Sequence, residues 1–303
     1  MKTAALALLL VLLALPAASA DMPAATAPPM LADVPANAPT VTLTSPGKAP
    51  RRPIRFTATK GMRRAVTTTM KMKLGVEIGD RKAPVQKLPT IQMVMDLVVT
   101  DVASNGDIRY EFTLREPVVM PDKATPATMR DQVAASIQGL GGMTGHAVVT
   151  SRGFTRSADV AVPKSASAQS QQFVDSIRQS LNQLSAPVPA EPVGVGASWD
   201  TVSKLEQSGL ALTQTATTRL KAFKGNRITL QIGLAQQAAP QKFTTNGVSV
   251  DLLAFASKGS GETTIELDRL LPELAKVAMH SDFTMDAAGQ KMRMILDLAM
   301  MLK

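Results

Sequence analysis

Residues 90–114, TIQMVMDLVVTDVASNGDIRYEFTL, contain two alternating runs on either side of an Asn-Gly pair. Asn and Gly both tolerate a positive φ, so this pair is the strongest short signal for a β-hairpin turn. In the second run apolar and polar residues alternate, and a period of two places them on opposite faces of a strand. The stretch therefore predicts a hairpin with Ile108, Tyr110, Phe112 and Leu114 on one face and Arg109, Glu111, Thr113 and Arg115 on the other.

The same alternation occurs elsewhere in the chain. RAVTTTMKMKL (64–74) places Val66, Met70, Met72 and Leu74 on one face, and HAVVTSRGFTRSADV (146–160) predicts a smaller hairpin that turns at Arg152-Gly153. The chain ends in two alternating runs, AKVAMHSDFTM (275–285) and QKMRMILDLAMML (290–302). These patterns predict mostly antiparallel strands joined by short turns.

The second half of the chain repeats features of the first. In TATTRLKAFKGNRITLQIGL (215–234), Ile228, Leu230, Ile232 and Leu234 repeat the spacing of Ile108, Tyr110, Phe112 and Leu114. In the first half, a strand begins at Gly145, a short distance after the run that starts at Ile108. In the second half, a strand begins at Gly261, at nearly the same distance after the run that starts at Ile228. The match predicts a degenerate duplication. Chance similarity between alternating strands is the alternative.

Two segments have helical spacing. TPATMRDQVAASIQGL (125–140) places Met129, Val133, Ile137 and Leu140 on one stripe. SQQFVDSIRQSLNQL (170–184) does the same with Phe173, Ile177, Leu181 and Leu184. Two short stripes cannot cover so many one-sided strands, so the sheet must curl on itself. The predicted fold class is mainly β (α+β): a curved antiparallel sheet or incomplete barrel of two pseudo-repeated halves with two short amphipathic helices.

The N-terminus has the pattern of a secretory signal peptide. Residues 1–20 combine one Lys, an apolar run and a small-residue end, which predicts cleavage after Ala20 and export to the periplasm or beyond. The Pro- and Ala-rich residues 21–52 predict a disordered or extended tether. We expect residues 53–188, with the two short helices, and residues 189–303 to form two β-rich halves of one continuous domain. The chain has no cysteine, so its stability must come from its core.

PVGVGASW (192–199) has two close glycines and the only tryptophan, and so could form a phosphate loop. It lacks the third glycine of the dinucleotide fingerprint, and no helical pattern follows to supply oriented N–H groups. It also follows a proline-rich break. The segment therefore predicts a boundary between the two halves, with Trp199 as a structural anchor.

Catalytic and metal-binding patterns are lacking in the sequence. The two histidines, His146 and His280, have no nucleophile motif beside them, and alternation places His280 and Asp282 on a solvent-facing side. A zinc site needs three or four placed ligands. We expect no catalytic residue, no metal, no cofactor and no enzyme activity.

Positive charge is concentrated near the N-terminus. The chain has a net charge of +9, and within residues 47–87 only Glu77 and Asp80 oppose many Lys and Arg residues. Aromatic residues make up only 3% of the chain, which argues against nucleic acid as a partner. An anionic membrane or glycolipid surface is the expected partner, and a solvated basic face without a partner is the alternative. The candidates for that contact are Arg51, Arg52, Arg63, Lys71 and Lys73.

Methionine is enriched, at 17 residues, and pairs of the form Met-x-Met occur in three strands. A flexible methionine wall suits lipid chains of varying shape, whereas ordinary core filling and Cu(I) binding are the alternatives. We therefore predict a non-enzymatic envelope protein that binds an acyl chain or another apolar ligand between sheet and helices. A structural or protein-interaction module with a fully packed core is the alternative. The ligand-wall candidates are Met70, Met72, Met93, Met95, Tyr110, Phe112, Phe173, Ile177 and Leu181.

Pro192, Val193, Gly196 and Trp199 resemble the Pro-Val-x-x-Gly-x-x-Trp segment of an uncharacterised family of secreted bacterial β-rich proteins. The resemblance extends over most of residues 53–303. That family has no established activity, so it implies no catalytic residue. The layout is also similar to that of periplasmic lipoprotein carriers and related lipid-binding half-barrels, which implies a curved sheet around an apolar ligand.

Overall fold

A computed structural model of the protein describes residues 38–122, 125–161, 187–207, 210–245, 248–287 and 289–303. These residues form one helix and many strands, as the alternating patterns predict. The elements are β1 Thr40–Ser45, β2 Arg63–Ile78, β3 Arg81–Lys82, β4 Gln86–Lys87, β5 Ile91–Val102, β6 Ile108–Leu114, β7 Val118–Val119, α1 Ala127–Ile137, β8 Thr144–Val149, β9 Thr155–Ala161, β10 Ser198–Gln207, β11 Leu210–Lys224, β12 Arg227–Ala238, β13 Gln241–Thr245, β14 Val248–Glu266, β15 Leu274–Ala287 and β16 Gln290–Leu302.

The described strands form a single antiparallel sheet that does not close, which confirms the prediction of a mainly β fold with an incompletely closed antiparallel sheet. The strand order is β1-β10-β11-β12-β14-β15-β16-β2-β5-β6-β8-β9. Four short strands lie off this path: β3 and β4 pair with β2, β7 pairs with β5, and β13 pairs with β14. Strands β2 to β9 therefore make one block of the sheet, and β10 to β16 make the other together with β1.

The two blocks meet where the last strand, β16, pairs with β2. Leu298 lies opposite Met72 and Met300 opposite Met70. Beyond the strands, the N–H of Lys303 donates to the carbonyl of Thr67 at 2.9 Å, and the N–H of Thr67 donates back at 2.8 Å. The C-terminus of the chain thus joins the two blocks.

The sheet curls so that its inner face encloses one main hydrophobic cluster. Side chains from β6, such as Ile108, and from β12, such as Ile228, belong to this same cluster although their strands are far apart in the sheet. Residues 54–57, before β2, cross between the blocks, and we call them the crossing segment. The Phe56 N–H donates to the Ser151 carbonyl at 2.7 Å, and the Thr57 N–H donates to the Leu267 carbonyl at 2.8 Å.

The predicted hairpins are present. β5 and β6 turn at Gly106 (φ +84°), and β8 and β9 turn at Gly153 (φ +82°). Side chains of β6 alternate between buried and exposed as the sequence predicts. The first predicted helix is α1, which buries Val133 and Ile137 in the main cluster. The second predicted helix, 170–184, lies outside the described residues.

The predicted tether, residues 21–52, extends too far toward the C-terminus, because part of this range is a strand. Residues 40–45 form β1, which pairs with β10 and places Leu43 opposite Trp199. Val41 and Leu43 alternate with threonines and pack against the main cluster, so this segment has the one-sided pattern of a strand despite its proline-rich surroundings. Residues 21–37 of the predicted tether lie outside the described residues.

The two blocks share one local register. In the first, Ile108 lies opposite Val149 and Phe112 opposite Gly145. In the second, Ile228 lies opposite Ile265 and Ile232 opposite Gly261. The residues that the sequence aligns between the halves are therefore paired in the same way. The duplication itself remains a prediction.

We expect Ile54→Ala, in the crossing segment, to lower the free energy of unfolding by about 2–5 kcal/mol, because Ile54 is 0% exposed and its loss leaves a cavity. Urea unfolding followed by the fluorescence of Trp199 measures this change. The control is Val85→Ala, which should change stability by at most about 0.5 kcal/mol because Val85 is 67% exposed. Equal effects of the two substitutions would contradict the role of the crossing segment.

Candidate functional site

Two rows of mostly apolar residues run across the inner face, the face that carries the core, from β12 through β14, β15 and β16 to β2. Each row is defined by cross-strand pairing, so its members lie side by side. Apart from Met70 and Met72, which are buried, the side chains in these rows are only half-buried. We call them the apolar rows; they consist of Ile232, Gly261, Val277, Met300 and Met70, and of Leu234, Gly259, Met279, Leu298 and Met72.

Two glycines lie in the middle of the apolar rows. A Cβ atom at Gly259 would lie 2.7 Å from the Cγ atom of Met279, and one at Gly261 would lie 3.1 Å from a Cγ atom of Val277. The side chains of Met279 and Val277 therefore lean over the glycines. Met279 thus covers Gly259 in the centre of the rows, and its unbranched side chain can change rotamer to admit another apolar group.

A polar row borders the apolar rows on the same face. It crosses five strands, and its members pair with one another. The Gln236 amide donates to the Gln214 side-chain oxygen at 2.8 Å, and the Ser281 hydroxyl donates to that of Ser257, also at 2.8 Å. The polar row is Ser203, Gln214, Gln236, Ser257 and Ser281.

Beyond the polar row lies a second hydrophobic cluster. Phe255 and Phe283 pack with ring centroids 4.6 Å apart, and Leu252, Met285 and Met294 are almost fully buried beside them. At this end of the sheet, the inner face is covered by the protein's own side chains. In the apolar rows, by contrast, most of the apolar side chains are partly exposed.

The structure brings some of the predicted ligand-wall residues together. Met70 and Met72 belong to the apolar rows, whereas Tyr110 and Phe112 are buried in the main cluster with ring centroids 6.5 Å apart. Met93 and Met95 are half-buried against that cluster. Phe173, Ile177 and Leu181 lie outside the described residues. The sequence interpretation missed the partners of Met70 and Met72 on the second block, which are Met300 and Leu298, and missed Met279, which pairs with Leu298.

The predicted basic candidates lie in three places. Lys71 and Lys73 point outward from the middle of β2, and Arg63 is exposed at its start. Arg51 is exposed in the segment before β2, where its Nε donates to the Gly47 carbonyl. Arg52 stacks its guanidinium 3.6 Å above the ring of Phe223.

Other arginines of the basic stretch have structural roles. Arg55 donates to the carbonyls of Ile54, Pro189 and Ala190, and Arg64 donates to those of Leu271 and Pro272. These bonds tie the crossing segment and β2 to the second half of the chain. Part of the positive charge near the N-terminus therefore stabilises the fold.

Both histidines are exposed on the outer face. His280 forms a 2.7 Å hydrogen bond with Asp297, and His146 lies between Glu111 and Asp159 in the strand register. Asp282 lies beside Arg293, whose guanidinium hydrogen bonds lower the pKa of that carboxyl. Within the described part of the chain, no group of three or more His, Asp or Glu side chains is placed to hold a metal ion.

The glycine-rich break is followed directly by β10, and Trp199 at its start is 1% exposed in the main cluster. A side chain at Gly194 would collide with the carbonyl oxygen of Lys48, so the two segments need this close approach. These contacts support the predicted structural anchor. A strand behind the glycines cannot supply the N–H groups of a phosphate loop.

The comparisons with known proteins give a family of unknown function. Residues 135–270, which include the break and Trp199, match the family described as "Family of unknown function (DUF6263)". No curated protein matches the chain significantly. The described helix is too short to cross a membrane.

Burial raises the pKa of Tyr110 to about 12. Since the chain has one tyrosine, phenolate absorbance reports this group alone, and we expect its midpoint near 12 in the folded protein and near 10 in denaturant. The unfolded state then ionises first, so stability should fall as the pH rises from about 10 to about 12. Far-UV circular dichroism confirms that the chain is folded. A midpoint near 10 in the folded protein would contradict the burial of Tyr110.

Proposed function

We propose that this is an exported, non-enzymatic protein that binds an acyl chain or a similar apolar ligand on the inner face of its sheet. The observation that carries this proposal is the pair of apolar rows, which run unbroken across five strands and keep most of their side chains partly exposed. When a ligand covers partly exposed apolar surface, the removal of that surface from water favours binding by about 25 cal/mol per Å².

The chemistry of the rows suits a flexible chain. Each methylene group that leaves water contributes about 0.8 kcal/mol, and methionine side chains adapt to ligands of different shape. The rows contain four methionines from three strands: Met70, Met72, Met279 and Met300. The polar row borders this apolar surface on one side, and its Gln and Ser side chains hydrogen-bond one another.

The N-terminal pattern of residues 1–20 supports export. The family match of residues 135–270 assigns no activity, and we propose no catalytic role. Export would place the protein where lipids and glycolipids are its neighbours, which fits an apolar ligand.

A structural or interaction module without a ligand is the second candidate. It is favoured by the inner faces of β5 and β6, where residues such as Leu97, Val99, Ile108 and Phe112 are already buried by the protein itself. The two candidates differ in whether the apolar rows accept a ligand.

Native mass spectrometry of the gently purified chain distinguishes them. We expect a co-purifying lipid, and its repeated absence would favour the packed module. A fluorescent long-chain fatty acid added to the delipidated chain gives the affinity. If the probe does not bind at any concentration below the one at which the probe itself aggregates, the proposal is overturned.

Two neighbouring methionines provide a matched pair of variants. Met300 lies on the inner face in the apolar rows, whereas Met301 lies on the outer face of the same strand, and both are half-buried. Met300→Gln should weaken binding of the fatty acid about tenfold or more, because the amide loses water without a partner, at a cost of about 1–3 kcal/mol. Met301→Gln should leave the affinity unchanged. Equal affinities of the two variants would contradict the assignment of the ligand to the apolar rows.

A further inference from the structure

The outer face of the sheet has a basic depression behind the apolar rows. Its volume is about 650 Å³, and its floor consists of small residues, including Ala278, Ala299 and Ser260. Long side chains surround this floor: Lys71, Lys73, Lys87 and Lys258. We call this surface the lysine depression. It forms because short residues on β14, β15 and β16 lie between lysines on β2, β4 and β14.

Strand register places the charges in a defined array. Lys73 lies opposite Asp297, Asp297 opposite His280, and His280 opposite Lys258. With strands about 4.8 Å apart, the backbone positions of Lys73 and Lys258 are roughly 14 Å from each other across the sheet. Lys71 lies about 7 Å from Lys73 along β2.

Among the described residues, most of these lysines form no salt bridge with a carboxylate. In the part of the chain that the structure describes, no carboxylate forms a salt bridge with Lys71, Lys73 or Lys258. Lys87 binds Asp122 at 2.7 Å, and Asp297 is engaged by His280. Three unpaired ammonium groups therefore face one shallow surface. All three residues are exposed.

We propose that the lysine depression binds the phosphate groups of an anionic lipid surface. The strand positions of Lys73 and Lys258 are about 14 Å apart, and Lys71 lies about 7 Å from Lys73 along β2, so the lysines are spread over a surface instead of being gathered around one point. They can each meet a separate headgroup in an array. The depression is open and lies on the outer face, so an extended surface can approach it. This proposal does not depend on the apolar rows.

The depression is a different surface from the one that the sequence predicted. Of the predicted residues it contains only Lys71 and Lys73, and it adds Lys87 and Lys258 from elsewhere in the chain. Arg52 is engaged with Phe223 at the segment that pairs with Val193, in another part of the fold. The proposal therefore assigns no binding role to Arg51, Arg52 or Arg63.

The test is co-sedimentation of the full chain with vesicles of phosphatidylglycerol and phosphatidylcholine, and with vesicles of phosphatidylcholine alone. The test variant carries Lys71→Gln, Lys73→Gln and Lys258→Gln. The control variant carries Lys204→Gln, Lys221→Gln and Lys224→Gln, which removes the same charge from exposed positions on β10 and β11. Circular dichroism shows whether each variant is folded.

We expect binding to the anionic vesicles only, and on the order of a hundredfold loss of affinity in the test variant, because each lysine near such a surface contributes about 1 kcal/mol. Raising the salt concentration to about 1 M should also abolish binding, since the Debye length falls to about 3 Å. The control variant should bind as the parent does.

Three results would overturn the proposal. Equal losses in the two variants would show that only net charge matters. Binding that persists in the test variant would place the contact elsewhere. Competition by millimolar inorganic phosphate that removes the chain from the vesicles at constant ionic strength would assign the lysines to a free anion instead of a lipid surface.

Discussion

The pairing of β16 with β2 is the constraint on which the rest of the structure depends. It joins two blocks of antiparallel strands into one sheet, and it fixes which residues share a face. Leu298 beside Met72 completes the apolar row on the inner face, whereas Asp297 beside Lys73 lies on the outer face. A slip of one residue in this register would exchange the two faces, so both proposed surfaces require the same pairing.

The inner face changes character along the strands. The second hydrophobic cluster is closed by Phe255, Phe283 and their neighbours, and the polar row then separates it from the apolar rows. Buried Gln and Ser side chains are tolerated there because they satisfy one another. One end of the inner face is therefore filled by packed side chains that stabilise the sheet. The partly exposed apolar surface lies on the other side of the polar row.

Local features of the fold could be predicted from the sequence because they depend on short-range periodicity. The turn at Gly106, the alternation along β6 and the part of the helical stripe formed by Val133 and Ile137 were predicted correctly, whereas α1 ends before Leu140. Strand order could not be predicted, since nothing local shows that β16 returns to β2. For that reason the sequence interpretation identified Met70 and Met72 without their partners Met300 and Leu298. It also grouped Arg52 with Lys71, although tertiary contacts hold Arg52 against Phe223.

The most direct measurement on the apolar rows is nuclear magnetic resonance of methionine methyl groups, labelled with ¹³C, during titration with a long-chain fatty acid. If the rows bind the acyl chain, the methyl signals of Met279 and Met300 will shift in a saturable way. Those of Met285 and Met294, which are buried in the second cluster beyond the polar row, will stay in place. Unchanged signals from Met279 and Met300 in the presence of bound fatty acid would contradict an acyl-chain site on the inner face.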